Sequence, residues 1–263
     1  MPRLRLILRL FLFTLICLLI TIIQWPMLRI YRGPKSFIAA RWWQIAAARI
    51  FGVTVRVHGT PYESGQTLYV ANHISYIDIP ALGSIIKGVF IARADLAGWP
   101  VFGFLGKLQQ TAYISRDKKN ARAEKENLER LVREGKNLIL FAEGTSTDGT
   151  LVLPFKSSLF SLAFNDDGTA RNVMIQPVTI ALVSVDGQPV EPGAGPLRDS
   201  YTWHGDMTLG AHILARARAL GAVVDITFHP PRNPAAYNGD RKALATDCYN
   251  DVVHAMPVLT RAA

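Results

Sequence analysis

Hydrophobic and polar positions divide the chain into an apolar beginning and a longer segment that alternates. From Leu10 to Leu28 it reads LFLFTLICLLITIIQWPML, with no charged residue. As a helix, such a run is just long enough to cross a hydrocarbon core of about 30 Å. Arg3, Arg5 and Arg9 precede it, and Arg29, Arg32 and Lys35 follow it. A secretory signal also has a basic start and an apolar core. This run, however, ends in Gln24-Trp25-Pro26 and not in a small-residue cleavage site, so an uncleaved membrane anchor is the favoured reading. Basic residues on both flanks leave its orientation open. A tilted or half-inserted helix would keep both flanks at one surface. The stretch SFIAARWWQIAAARIFG predicts a second helix. Trp42 and Trp43 suit either headgroup level, with Arg41 and Arg49 near lipid phosphates, or an ordinary core.

Beyond residue 50 the pattern is mixed. VTVRVHG (Val53 to Gly59) alternates as a half-buried strand does. LYVAN, VFIAR, TAYIS, NLILFAEG, VMIQPVTIAL and VVDITFHPP are short apolar runs rich in β-branched or aromatic residues, and each predicts a strand. KKNARAEKENLERLVREGKN predicts a helix with an apolar stripe of Ala123, Leu128, Leu131 and Val132, ended by Gly135. Strands alternating with helices predict an α/β fold, a mixed sheet flanked by helices. Residues 1–50 form a membrane-anchoring helical segment in this reading, and residues 51–263 one globular domain. In such sheets functional groups lie on loops at strand ends.

Composition adds a net charge of +9 on a chain that is 49% apolar and 19% charged. That balance suits an anionic partner: a membrane surface, nucleic acid, or phosphorylated and CoA-like substrates. The apolar N-terminus selects the membrane bilayer over nucleic acid. The two cysteines, Cys17 and Cys248, lie far apart and predict no disulfide framework. No Cys/His cluster suggests zinc.

The candidate chemistry begins at LYVANHISYIDIP, Leu68 to Pro80. A strand-like run ends in Asn72-His73, and Asp78 follows five residues after the histidine. On a regular helix those two side chains would point about 140° apart, so they meet only across a turn. A structural turn, half a metal site, and a general base with its orienting carboxylate all remain open on these residues alone.

Three further blocks follow in order. NHISYID resembles the NHxxxxD block of the glycerolipid acyltransferases, the family of 1-acylglycerol-3-phosphate acyltransferases. TAYISRD resembles the second block and places its arginine at Arg116. LFAEGTSTDG resembles the third, usually FPEGTR, and aligns Glu143, Gly144 and Thr145. VMIQPVTI resembles the fourth, with its proline at Pro177, and LPFKSSLF looks like the segment after the third. The resemblance implies an acyltransferase domain that moves an acyl group from an acyl-CoA or acyl carrier protein thioester to the free hydroxyl of a lyso-lipid. His73 would be the general base and Asp78 would fix its tautomer, with the substrate hydroxyl in the place of a serine nucleophile. Arg116, Glu143, Gly144, Thr145 and Ser146 would form the acceptor site. No metal and no bound cofactor are implied. The enzyme would sit on the bacterial inner membrane, facing the cytoplasm.

The third block departs from the pattern at Ser146, where an arginine is expected. Serine cannot make a bidentate, charged contact to phosphate, unless Lys156 or another basic residue replaces it. The EGTS form, with STDG after it and YTWHGDM (Tyr201 to Met207) further on, resembles a subset that includes lyso-ornithine lipid acyltransferases, whose acceptor has no phosphate. The leading acceptor is of the 1-acylglycerol-3-phosphate type, and a phosphate-free lyso-ornithine lipid is the alternative. A thioesterase or hydrolase and a non-catalytic membrane-binding protein are rivals of other classes. The first lacks a GxSxG nucleophile elbow here. Glu143 is expected to shape the acceptor pocket or brace its loop, Asp148 to make a turn before Gly149, and His204, His212, His229 and His254 to be surface or core histidines.

Overall fold

The computed structural model of the chain describes residues 2–31, 33–114, 121–191, 193 and 195–256. Seven strands are hydrogen-bonded in the order β1 (Val53–His58), β8 (Ala222–Phe228), β6 (Met174–Val185), β2 (Thr67–Ala71), β5 (Leu138–Phe141), β3 (Val89–Arg93), β4 (Ala112–Ile114), and the short β7 (Gln188–Pro189) pairs with β6. All neighbours run parallel except β6 with β8 and with β7. The sheet is therefore mixed, as the alternating pattern predicts. Each predicted strand forms, with ends shifted by up to three residues. Pro177 is tolerated inside β6 because it lies opposite Val70, one residue before the β8 ladder starts at Val178.

Strand residues alternate between two helical layers. Leu68 and Val70 face one core with Leu128 and Leu131 of α5 (Ala121–Arg133), Phe160 of the 3-10 turn Ser157–Ala163, and Leu244, Cys248 and Val252 of α8 (Arg241–His254). Tyr69 and Ala71 face the other, with Ala48 of α2 (Ile38–Ile50), Ala81 and Leu82 of α3 (Asp78–Gly83), Tyr201, and Ala217 of α7 (Leu209–Arg218). Gly135 ends the α5 turn in the left-handed region at φ +68. The short helix α6 (Pro196–Asp199) leads into the Tyr201 segment, and α4 (Pro100–Leu108) packs with Ile20 and Ala39 in a third, small cluster.

The apolar run forms α1 (Pro2–Ile30), which by length and composition could cross a membrane. It packs on α2, α4 and α7. Its first basic residues meet protein, not only lipid. Arg9 Nη1 donates to the Ala219 carbonyl at 2.6 Å and Nη2 to Leu220 at 2.8 Å, and Arg5 Nη1 donates to Arg218 at 2.8 Å. These carbonyls lie at and just beyond the C-terminus of α7, where cations also complement the helix dipole. Of the two tryptophans, Trp42 is exposed while the Trp43 ring packs 5.9 Å from that of Phe13. Arg41 Nε donates to the Ser84 carbonyl beyond α3, at 3.0 Å, so this arginine is tied to the domain.

The junction is tightest at Gly52, which has φ +70 and where an added Cβ would lie 2.6 Å from the Leu220 carbonyl oxygen and 2.7 Å from Arg9 Nη2. Gly52→Ala is expected to destabilise the protein by about 1–3 kcal/mol and to loosen α1 from α7. Thermal unfolding of the detergent-solubilised protein measures this, and an unchanged midpoint would contradict it.

Candidate active site

Strand register brings the two signature loops together. β2 and β5 pair with Ala71 opposite Phe141, so His73 and Glu143 each lie two residues past adjacent strand ends. Asn72 continues the sheet with its side chain: Nδ2 donates to the Ile180 carbonyl at 2.9 Å and Oδ1 accepts the Ile180 N–H at 2.7 Å. The chain then leaves the sheet, and Asp78 opens α3. The turn that the five-residue spacing requires is present.

Asp78 Oδ2 is the centre of that turn. It accepts His73 Nδ1–H at 2.8 Å and the backbone N–H groups of Ile74 at 2.7 Å and Ser75 at 2.9 Å. Asp78 is fully buried, whereas the His73 side chain keeps 17% of its exposure. A carboxylate only accepts, so the proton of a neutral His73 ring sits on Nδ1 and Nε2 keeps its lone pair. The ring is stacked on Phe141, centroids 3.8 Å apart and planes 12° apart. Such a pair can take a proton at Nε2 from a hydroxyl and hold the resulting imidazolium. Among the described residues no group of His, Cys, Asp and Glu side chains could hold a metal ion.

Glu143 is spent on the backbone. Oε1 accepts the His73 N–H and Oε2 the Leu153 N–H, each at 2.7 Å. It joins the histidine loop to the segment after the EGTS turn, and Thr147 N–H returns to the His73 carbonyl at 3.0 Å. Gly144 holds the turn at φ +71, and the Lys156 ammonium lies against its bare face. Thr145 is exposed and Ser146 half-buried. Among the described residues neither hydroxyl has a protein partner. Asp148 makes the expected turn, its Oδ1 accepting Thr150 N–H at 2.9 Å and Thr150 Oγ1–H at 2.7 Å. Arg116 lies outside the described residues.

Several supporting residues were not assigned from sequence. Ser75 Oγ donates to the Tyr201 carbonyl at 2.9 Å, Trp203 N–H donates to the Ile74 carbonyl at 2.9 Å, and the Tyr76 hydroxyl pairs with His212 Nδ1 at 3.1 Å. YTWHGDM thus braces the histidine loop. Arg198 ties this region to the EGTS loop through the carbonyls of Asp148 and Gly149, at 3.4 and 3.3 Å. No local pattern marks Arg198.

Comparison with known proteins identifies the family. A sequence profile described as Acyltransferase matches residues 54–181. The lyso-ornithine lipid O-acyltransferase of Brucella abortus is 37% identical over 210 residues, 78% of this chain and 76% of that protein. The chain belongs to the acyltransferase family. This acyltransferase is also 35% identical over 202 residues to the lyso-ornithine lipid O-acyltransferase of Rhodobacter capsulatus, covering 76% of this chain and 68% of that one. A 1-acyl-sn-glycerol-3-phosphate acyltransferase of Neisseria meningitidis is 35% identical over 109 residues, 40% of this chain and 42% of that protein. The crystal structure of the 1-acyl-sn-glycerophosphate acyltransferase of Thermotoga maritima shares the fold, with a TM-score of 0.62, 19% identity, and coverage of 96% and 95% of the two chains.

Burial pushes the Glu143 carboxyl up to about 7; the N–H groups of Leu153 and His73 pull it down, and the Asp78 charge pushes it up. The folded state therefore binds this proton more tightly than the unfolded chain. The stability it contributes is fully present below pH 4.5 and is lost as pH rises through about 7. The loss is on the order of 3 kcal/mol. The unfolding free energy is expected to fall more steeply over that range in the wild type than in Glu143→Gln. Equal slopes in denaturant titrations would contradict this.

Proposed function

We propose that this acyltransferase transfers a fatty acyl group from an acyl-CoA or acyl carrier protein thioester to the free hydroxyl of a lyso-ornithine lipid. The observation that carries the acceptor is Ser146, which stands where an arginine would grip a phosphate. A neutral hydroxyl suits an acceptor without a phosphodianion. Relatives named as lyso-ornithine lipid O-acyltransferases support the same reading. A second reading, lysophosphatidate as acceptor, is favoured by Lys156, whose ammonium at the EGTS turn has no acidic partner among the described residues.

In the proposed reaction the acceptor hydroxyl attacks the thioester carbonyl while His73 Nε2 takes its proton. Asp78 holds the ring by Nδ1 and stabilises the imidazolium. The tetrahedral intermediate collapses, the C–S bond breaks, and the thiolate leaves with the proton from His73. No metal, bound cofactor or covalent enzyme intermediate takes part. Glu143 and Gly144 shape the loop, Thr145 and Ser146 offer free hydroxyls to the acceptor, and Arg116 supplies the remaining acceptor contact.

The substrates lie in a bilayer, and the surface suits one. Leu8, Phe11, Leu15, Leu18, Ile22 and Trp25 of α1 are exposed, as are Val101, Phe102 and Phe104 of the adjoining α4. This apolar area would be costly in water over such an extent. It anchors the enzyme to the bacterial inner membrane, with the catalytic domain on the cytoplasmic side where thioester donors occur.

Purified enzyme with a labelled acyl donor is expected to acylate lyso-ornithine lipid at least tenfold faster than lysophosphatidate. Ser146→Arg should narrow or invert that ratio. His73→Ala should abolish transfer, a loss of about 10²-fold or more, while the protein still co-sediments with vesicles. Transfer to lysophosphatidate alone would overturn the acceptor, and full activity in His73→Ala would overturn the mechanism.

A further inference from the structure

Helices α1, α2 and α7 meet at one junction, and each brings arginine to it. Gly52 after α2 and Gly221 before β8 touch there: a Cβ added to Gly221 would lie 2.6 Å from the Gly52 carbonyl oxygen. Arg5 and Arg9 of α1 reach the same place, donating to the carbonyls of Arg218, Ala219 and Leu220. Arg216 and Arg218 stand in the last turn of α7, Arg49 in the last turn of α2, and Arg3 in the first turn of α1. The carboxylate set among these arginines is Asp186. Its Oδ1 lies 3.8 Å from Arg216 Nη2 and accepts the N–H groups of Leu220 and Gly221 at 2.7 and 3.1 Å. Burial, and after it the Arg216 and Arg5 charges, lower the Arg9 guanidinium from its ordinary value, and Asp186 opposes them. The junction carries excess positive charge.

Three of these arginines are free. Arg3, Arg49 and Arg218 are exposed, and their side chains have no hydrogen bond or ion pair among the described residues. Each stands at the end of a stripe of exposed apolar side chains at helical spacing. On α1 the stripe runs from Arg3 through Ile7 to Phe11; on α2 Ile38 and Trp42 lead to Arg49; on α7 Leu214 leads to Arg218. Helices α1 and α2 pack antiparallel, with the Phe13 ring 5.3 Å from that of Phe51 and Ile20 in one cluster with Ala39, so their cationic ends lie together. A surface that is apolar along its length and cationic at one rim matches a lipid leaflet, with tails on the stripes and headgroups at the arginines. The phosphates of a soluble partner would leave the stripes in water. Strand register sets this rim on the edge of the sheet where the His73 loop leaves it. Ala71 pairs with Val178, and Val185, further along β6, pairs with Ala222 beside the junction. The junction is displaced from the level of Ala71 by about 23 Å along β6.

We propose that Arg3, Arg49 and Arg218 form a headgroup site for anionic phospholipid, whose acyl chains lie along the exposed stripes of α1, α2 and α7. Arg5 and Arg9 are spent on carbonyls and hold the three helix ends together, so the free guanidinium groups are presented as one rim. Docking there sets the sheet edge that carries the His73 loop at an anionic leaflet. The proposal rests on the anchoring of α1 in a bilayer and not on the identity of the acceptor.

The test compares the full-length wild type with Arg3→Gln/Arg49→Gln/Arg218→Gln. A control, Arg133→Gln/Arg241→Gln/Lys242→Gln, loses the same charge from α5 and α8 in the opposite helical layer. Each protein is purified through detergent micelles holding equal amounts of phosphatidylcholine and phosphatidylglycerol, and the retained lipids are counted by mass spectrometry. At low salt, wild type and control should retain phosphatidylglycerol over phosphatidylcholine by about fivefold or more, and high salt should bring the ratio toward one. In the triple variant the ratio should stay near one at either salt, with Tm unchanged. Equal retention of the two lipids by wild type, selectivity undiminished in the triple variant, or an equal loss in the control would overturn the proposal. So would an undiminished lipid ratio with a raised KM for acyl-CoA, which would assign the arginines to the phosphates of the donor. If the triple variant does not fold, Arg49→Gln/Arg218→Gln and the salt dependence of the wild type carry the test. Wild type that retains neither lipid would instead overturn the bilayer anchoring beneath it.

Discussion

One oxygen organises the candidate active site. Asp78 Oδ2 accepts three N–H groups, from the His73 ring and from Ile74 and Ser75. Hydrogen bonds to a charged acceptor contribute about 1.5–3 kcal/mol each, and here they converge where no water competes. The loop from Asn72 to Asp78 therefore folds around a carboxylate that sits at the start of a helix. The same bonds that shape the loop also fix which nitrogen of His73 carries the proton. Structure and chemistry share one set of contacts.

The sheet makes that loop possible. β2 and β5 are parallel neighbours in register, so two segments seventy residues apart end side by side. Glu143 binds across that gap to the His73 backbone, and Asn72 binds to β6 on the other flank. The histidine loop is thus held from both neighbouring strands and from the Tyr201 segment behind. The N-terminal helix joins the same assembly: its arginines close the end of α7, the helix that carries Arg216. The N-terminal helix and the α/β domain meet through backbone carbonyls.

Local pattern was informative where function and fold coincide in a short stretch. The strands were legible because period-two alternation and β-branched runs mark them. His73 with Asp78 was legible because four blocks stand in order, although the spacing alone left a turn and a metal site open. What remained hidden depends on distant contacts. Tyr201 and Arg216 lie more than a hundred residues from His73, and nothing in the local sequence marks either as buried. Only packing shows that Arg216 is buried while Arg218 lends a carbonyl to Arg5. Arg41 likewise reads as a lipid contact, yet its guanidinium is bound to a carbonyl beyond α3. Of the tryptophan pair, Trp43 packs on Phe13 and Trp42 is exposed, since adjacent helical residues point in directions about 100° apart.

The most direct measurement is the ¹⁵N–¹H NMR of the His73 imidazole in detergent-solubilised protein, at a pH where the ring is neutral. The Asp78 contact requires a proton on Nδ1 and a bare Nε2, with the tautomer released in Asp78→Ala. A proton on Nε2 in the wild type, or the same tautomer in Asp78→Ala, would contradict a general base held by this carboxylate.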